Sequence, residues 1–318
     1  MLSACGSEST QLAAHEYGGA RITIVSLKPP ENDTVVIAGI KLGLAELSFK
    51  ENKNLHINYL YASDSLAEQL AKLDDQGESL IITLRTPCLI AAIKSVKKTD
   101  VVFANVTDPI GAGAGTSPNE HLSNFTGLAS MPPIRDALQF ALNIKPGASL
   151  IATCYNPREP NSVLAIKIAY GFLTNRYVRF HAEPITPDSD ISEVLHKLAL
   201  MNPDAIWLPD DNTVSAQLDS ALPAFKEPIP IILNTLRSVP AGAIAGFGID
   251  DSIIGYATGR MAAHVINGVS PADIPFGNST QRNTLMNYEK ALSIGIQIPS
   301  YLGDGVKWTG SPPPPVEY

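Results

Sequence analysis

Charge is scarce in this chain, and what there is leans acidic. Charged residues make up 17% of its 318 residues, below the ~25% usual for globular proteins. Lysine and arginine number 23 against 31 acidic residues, a formal net charge of −8. A nucleic-acid binder ordinarily carries a basic face, so no nucleic-acid partner is expected. Long apolar runs are missing too: none approaches the ~18 consecutive apolar residues that a membrane-spanning helix needs. Cysteine is sparse. Cys5, Cys88 and Cys154 cannot build a full disulfide framework, and none sits in a C-x-x-C pair. That argues against a zinc site made from them. Cys88 and Cys154 lie in apolar stretches and read as small buried hydrophobes.

Catalytic signatures are missing as well. There is no P-loop, no G-x-S-x-G elbow and no H-E-x-x-H. His15, His56, His121, His181, His196 and His264 are scattered, with no two at metal-ligand spacing. Gly111-Ala-Gly-Ala-Gly115 falls short of a dinucleotide fingerprint, because Thr116-Ser117-Pro118 follow where a small residue should open a helix. It reads as a flexible loop between lobes. No metal and no cofactor are expected, and an enzyme is disfavoured. Chemistry assembled from scattered acidic residues stays open as an alternative.

What is present is a regular alternation. Apolar runs bounded by turn residues predict strands at 21–27, 54–60, 79–84 and 101–106. Helical spacing predicts helices at 34–48, 63–73 and 87–96, the last with Pro87 near its first position. After a stretch rich in glycine and asparagine at 111–127, the alternation restarts. Helices are predicted at 133–142, 162–174, 190–201, 214–221, 251–267 and 287–294. Strands are predicted at 149–155, 178–182, 205–208 and 229–233, and 241–248 is expected to be extended. Repeated βα units in each half give an α/β protein with two parallel-sheet units, matching the ~150 residues per domain prior. Ligands of such sheets bind outside the C-terminal strand ends, which a two-lobed clamp turns toward a common cleft.

Polar clusters sit at those strand ends: Arg85-Thr86-Pro87-Cys88, Thr107-Asp108-Pro109, Tyr155-Asn156-Pro157-Arg158-Glu159-Pro160-Asn161-Ser162, Pro209-Asp210-Asp211-Asn212-Thr213 and Gly248-Ile249-Asp250. Each taken alone is explained by helix capping. Together they suit a small polar ligand, a zwitterion such as an amino acid included. Helix N-termini receive a carboxylate, and Asp108, Asp211 and Asp250 receive an ammonium.

At these clusters the chain resembles the ABC-transporter substrate-binding proteins of the tryptophan/tyrosine type. The resemblance is carried by Thr86-Pro87, by 102–112, by Asn124-Phe-Thr-Gly-Leu128, and by Tyr155-Asn-Pro with Glu159 and Asn161-Ser162. Further on it is carried by 209–214, by Gly255 through Asn267-Gly268, by 271–275, and by Asn287 with 291–299. It implies the periplasmic binding protein type I fold: two Rossmann-like α/β/α lobes with parallel-sheet cores, joined by crossover strands, with a ligand cleft between them. It further implies discontinuous lobes, 20–126 with 249–282 and 127–248 with 283–308, flanked by a tether at 1–19 and a proline-rich tail at 309–318. By the same resemblance Thr86 and the helix start behind it hold a carboxylate, and Asp108, Asn156, Ser162, Asp211 and Asp250 contact the ligand's other polar groups. Lys28, Arg85 and Arg158, if they face the ligand, favour one with an extra anionic group; as solvated rim charges they do not.

The expected function is therefore the solute-binding component of an ABC importer. It would take an amino acid, aromatic or otherwise, or a related carboxylate, close by a hinge motion, and deliver it to an inner-membrane permease. A ligand-sensing module for a signalling partner is the alternative. Leu2-Ser3-Ala4-Cys5 resembles a bacterial lipobox, which implies lipidation at Cys5 and a periplasmic or extracytoplasmic location, with membrane contact only through that anchor. The family habit is a monomer.

Overall fold

The computed structural model describes residues 19–27, 33–279, 281–299 and 306–310. In chain order, β1 (Ala20–Ser26), α1 (Thr34–Glu46), β2 (Leu55–Tyr61), α2 (Leu66–Asp75), β3 (Leu80–Leu84), α3 (Thr86–Ser95) and β4 (Val101–Val106) alternate as the apolar spacing predicts. Three short strands follow: β5 (Gly115–Ser117), β6 (Glu120–His121) and β7 (Phe125–Ala129). Next come α4 (Ile134–Ile144), β8 (Leu150–Tyr155), α5 (Pro160–Thr174), β9 (Arg179–Pro184), α6 (Ile191–Ala199) and β10 (Ala205–Leu208). The chain continues through α7 (Asn212–Ser215), α8 (Leu218–Ala224), β11 (Ile231–Leu233), β12 (Ala245–Ile249) and α9 (Asp251–Ile266). It closes with β13 (Gly277–Asn278), β14 (Arg282–Met286), α10 (Tyr288–Ser293) and β15 (Lys307–Trp308).

These elements form two compact α/β units. The first takes the described residues up to Asn105, with Gly113–Leu128 and Asp251–Gly277; the second takes Val106–Ala112, Ala129–Asp250 and the described residues from Asn278 onward. The first unit's sheet runs β13-β7-β4-β3-β1-β2, with β1 parallel to β2 and β3, and β3 parallel to β4. The second unit's sheet runs β15-β14-β12-β11-β10-β8-β9. It is parallel from β9 through β12, and β14 then joins antiparallel to β12.

Burial in the second sheet follows the two-residue period of a strand covered on both faces. Ala205 and Trp207 point into the core shared with α4 and α5, while Ile206 and Leu208 point into the core shared with α6 and α8. Trp207 is fully buried, and its indole N–H donates to Asn234 Oδ1 at 2.6 Å. The chain's other tryptophan, Trp308, is half-buried on β15, edge-on to the Tyr288 ring.

In the first unit α1 and α9 cross at backbone contact. Gly39 and Gly43 face Gly255 and Gly259, and a Cβ on Gly39 would come within 2.6 Å of the Ser252 carbonyl oxygen. A Cβ on Gly255 or Gly259 would run into the carbonyl oxygens of Val36 and Ile40 respectively. Only glycine permits this approach.

Two local expectations are corrected. The 111–127 stretch is not all loop: it holds the β5–β6 antiparallel pair and the start of β7. The single helix expected at 214–221 is two short ones, because the turn re-forms at Gln217 and Leu218 opens α8.

Candidate functional site

In the first unit, the stretch singled out at 85–88 joins β3 to α3. Five fully buried apolar and threonine residues bring the strand to Arg85. There the backbone turns into φ +74°, ψ 158°, a region populated almost only by glycine that costs a side-chain-bearing residue ~1–3 kcal/mol. Two contacts hold it there. The Arg85 backbone N–H donates to the Ala104 carbonyl at 2.9 Å. The guanidinium donates from Nη2 at 3.0 Å and from Nε at 3.3 Å to Asp33 Oδ1, and the Asp33 side chain is only 2% exposed. Thr86 is buried at the first residue of α3, and Pro87 beside it spends no N–H that the helix needs. Cys88 is fully buried, as expected; burial pushes its thiol up to about 12, and the Asp33 charge adds to the push.

In the second unit, the stretches at 155–162 and 209–213 meet because β8 and β10 are neighbours in the sheet. Asp211 is fully buried at the N-cap of α7. Its Oδ1 accepts from the Val214 N–H at 2.9 Å and its Oδ2 from the Asn156 N–H at 2.7 Å. Glu159 accepts from the Thr213 N–H and hydroxyl at 3.1 and 2.7 Å, and from the Asn212 N–H and side-chain amide at 3.0 and 2.7 Å. Asn156 joins them, donating from its side chain to Thr213 Oγ1 at 2.9 Å and accepting from the Arg158 N–H at 3.0 Å. The Ser162 hydroxyl accepts from the Asn161 side-chain amide at 3.4 Å. Asn161 donates to the Asp210 carbonyl at 3.1 Å, while its buried Oδ1 has no hydrogen-bond partner among the described residues.

Electrostatically this cluster is one-sided. Every hydrogen-bond partner of Glu159 and Asp211 among the described residues is a neutral N–H or O–H. Burial raises the Asp211 carboxyl above the usual carboxylate range, and the neighbouring Glu159 charge raises it further, against the Asn156 and Val214 N–H groups that lower it.

The remaining candidates have individual settings. Thr107 is buried, and Asp108 Oδ1 accepts from the Gly111 N–H at 2.8 Å, closing a turn. Gly248 and Ile249 end β12, and Asp250 accepts from the Asn283 side chain at 2.7 Å. Tyr155 is half-buried at the end of β8. Arg158 is exposed, whereas Arg85 is ion-paired. Lys28 and Cys5 lie outside the described residues, as do His15 and the tail from 311. Among the described residues no group of three histidine, cysteine or acidic side chains is placed to hold a metal ion. Sequence reasoning missed Asp33 and Asn283. Asp33 carried one signal, a capping residue directly before a helix, but nothing to link it to Arg85.

Residues 23–304 match the family described as ABC transporter substrate binding protein. The tyrosine-binding protein of Clostridioides difficile is 25% identical over 277 residues, covering 86% of this chain and 79% of that protein. A solved ABC domain in complex with L-Trp from Streptococcus pneumonia superposes with a TM-score of 0.84 at 23% identity, covering 91% of this chain and 99% of that one. A conserved domain protein from Vibrio cholerae gives 0.83 at 23% identity, over 92% and 99%. These two structures share the fold.

Proposed function

The chain belongs to the ABC transporter substrate binding protein family, and from that premise we propose that it captures an amino acid and presents it to the permease of an ABC importer. The family binds solutes without transforming them, so the polar clusters are recognition groups. The observation that carries the amino-acid reading is the second unit's cluster. Among the described residues two carboxylates, Glu159 and Asp211, are hydrogen-bonded only by neutral donors, and the Asn161 carbonyl oxygen beside them has no hydrogen-bond partner. A cationic ammonium offers three N–H donors and the countercharge, by charge-assisted hydrogen bonds. On the same reading Asp210, Asn212, Asp108 and Asp250 are further polar contacts of the ligand.

In the first unit, Thr86 and the start of the ten-residue helix α3 suit a carboxylate, because a helix N-terminus presents unpaired N–H groups and a positive dipole end. The half-buried ring of Tyr155 offers an aromatic face. Together with the tyrosine-binding relative and the L-Trp-bound structure, this puts L-tyrosine and L-tryptophan first among candidates. The protein works outside the cytoplasm as a monomer, tethered by a lipid on Cys5.

Thermal unfolding with and without single amino acids tests the reading. A ligand at ~100 times its Kd adds ~2.7 kcal/mol, a rise of a few degrees in a chain of this length. A rise with one amino acid supports the proposal and names the solute. No rise with any of them, in protein shown by mass spectrometry to carry no co-purified ligand, overturns it.

A further inference from the structure

Asp33 occupies the N-cap position of α1, where an aspartate ordinarily bonds the helix's own first N–H groups. It does not do so: its side chain makes no capping bond. The buried carboxylate turns instead to Arg85, 52 residues away, and takes two N–H donors on one oxygen at 3.0 and 3.3 Å. Arg85 in turn holds φ +74°, ψ 158°, a conformation in which glycine is at ease and other residues are strained.

We propose that Asp33 is a positioning residue for ligand binding: it locks Arg85 into this turn, and the turn sets the direction in which Thr86 and the start of α3 meet the ligand. The inference rests on the reading of Thr86 and α3 given above. The mechanical link is direct. The Arg85 carbonyl accepts the Leu89 N–H at 3.2 Å and so belongs to the first turn of α3, while its N–H is pinned to Ala104 at 2.9 Å. Relaxing Arg85 toward an ordinary extended conformation would swing the carbonyl away from Leu89 and re-aim the helix start. Glycine at 85 would reach the same conformation without strain, at a modest entropic cost. Arginine held by a buried aspartate gives one conformer. Because Asp33 sits at the head of α1, the lock also ties the starts of two helices to one ion pair.

Three variants decide the matter: Asp33→Ala, Arg85→Ala and Arg85→Gly. Two readouts are followed, hydrogen exchange at the amides of residues 85 and 89 in the ligand-free protein, and the Kd for L-tyrosine by calorimetry. Asp33→Ala and Arg85→Ala are expected to speed exchange about tenfold and to weaken L-tyrosine about tenfold, the factor that losing one such strained conformer implies. Arg85→Gly is expected to recover most of the affinity, since glycine adopts the turn unaided. If Arg85→Gly binds as weakly as Arg85→Ala, the guanidinium itself meets the ligand and the positioning role is wrong. If Asp33→Ala changes neither readout, the role is equally wrong. Should wild-type protein fail to bind L-tyrosine, the ligand assignment falls, while the exchange rates of the three variants still decide whether Asp33 holds the turn.

Discussion

Glu159 caps a helix that begins 53 residues further along the chain: its carboxylate takes the backbone N–H groups of both Asn212 and Thr213, at 3.0 and 3.1 Å. The residue belongs to the loop after β8, and the helix follows β10. One side chain therefore fastens two neighbouring strand-end loops, and Asp211 fastens them again in the opposite sense by accepting the Asn156 N–H.

Removing that double fastening has a measurable cost. Glu159→Ala leaves four donors of Asn212 and Thr213 without their acceptor. Hydrogen bonds to a charged group contribute about 1.5–3 kcal/mol each when a partner is lost. A loss of ~2–3 kcal/mol in urea unfolding is expected after relaxation and rehydration of the loop, with amino-acid affinity falling in parallel. Unchanged stability would show that the loops are held by other contacts.

Acidity should act on Asp211 ahead of the exposed acids. Its folded-state pKa is raised, by burial first and by Glu159 second. Its ionised form is thus disfavoured by the fold, and protonation as pH falls through the raised value relieves that penalty. The same proton removes a charge that an ammonium would meet. Amino-acid affinity should therefore weaken on acidification before carboxylates of ordinary pKa, near ~4, begin to titrate. Asp211→Asn should flatten that part of the profile, as read by calorimetry across a pH series.

Asp74 should behave in the opposite way. Burial alone would raise its pKa, but the N–H groups of Lys97, Lys98 and Thr99, at 2.9, 2.9 and 2.7 Å, outweigh it and lower the value. A carboxyl with a lowered folded pKa stabilises the fold above its unfolded value of ~3.9, and that stabilisation is lost as pH falls through the lowered one. Asp74→Ala is expected to destabilise by ~2 kcal/mol at neutral pH. The gap from wild type should shrink in acid below the unfolded value; a gap independent of pH would refute the assignment.

Two glycine-to-alanine changes should move stability in opposite directions. Gly255→Ala drives a methyl group into the Val36 carbonyl at the α1–α9 crossing, an overpacking worth ~1–3 kcal/mol of destabilisation. Gly171→Ala lies in the body of α5 with nothing within 4 Å of the added carbon, and should stabilise by ~0.5–1 kcal/mol. Denaturant midpoints of the two variants give the comparison.

The strands that lead into the candidate site residues were legible because each is a short apolar run closed by proline, glycine or a polar turn. β4 and β10 fall on the residues that pattern predicts. β7 was hidden, since Gly127 breaks its apolar pattern. The glycine is there because the Phe103 ring and carbonyl fill the space a Cβ would take, a long-range reason that no local pattern carries. The α1–α9 crossing left a visible trace, glycines four apart in both helices, whose meaning depends on the two helices being partners. At the site, the polar strand ends could be read from the chain, and the meeting of 155–162 with 209–213 could not, because it follows from strand order. The link from Asp33 to Arg85 was invisible for a related reason: it depends on a backbone angle at Arg85.

Both tryptophans of the chain, Trp207 and Trp308, lie in the second unit. Trp207 is sealed in that unit's core with its N–H bonded to Asn234. Tryptophan emission is thus a private signal of one unit, and the first unit unfolds unseen by it. A denaturation curve followed by emission, laid over one followed by circular dichroism, separates the two: coincident curves mean the units melt as one cooperative body, and divergent curves give each its own stability.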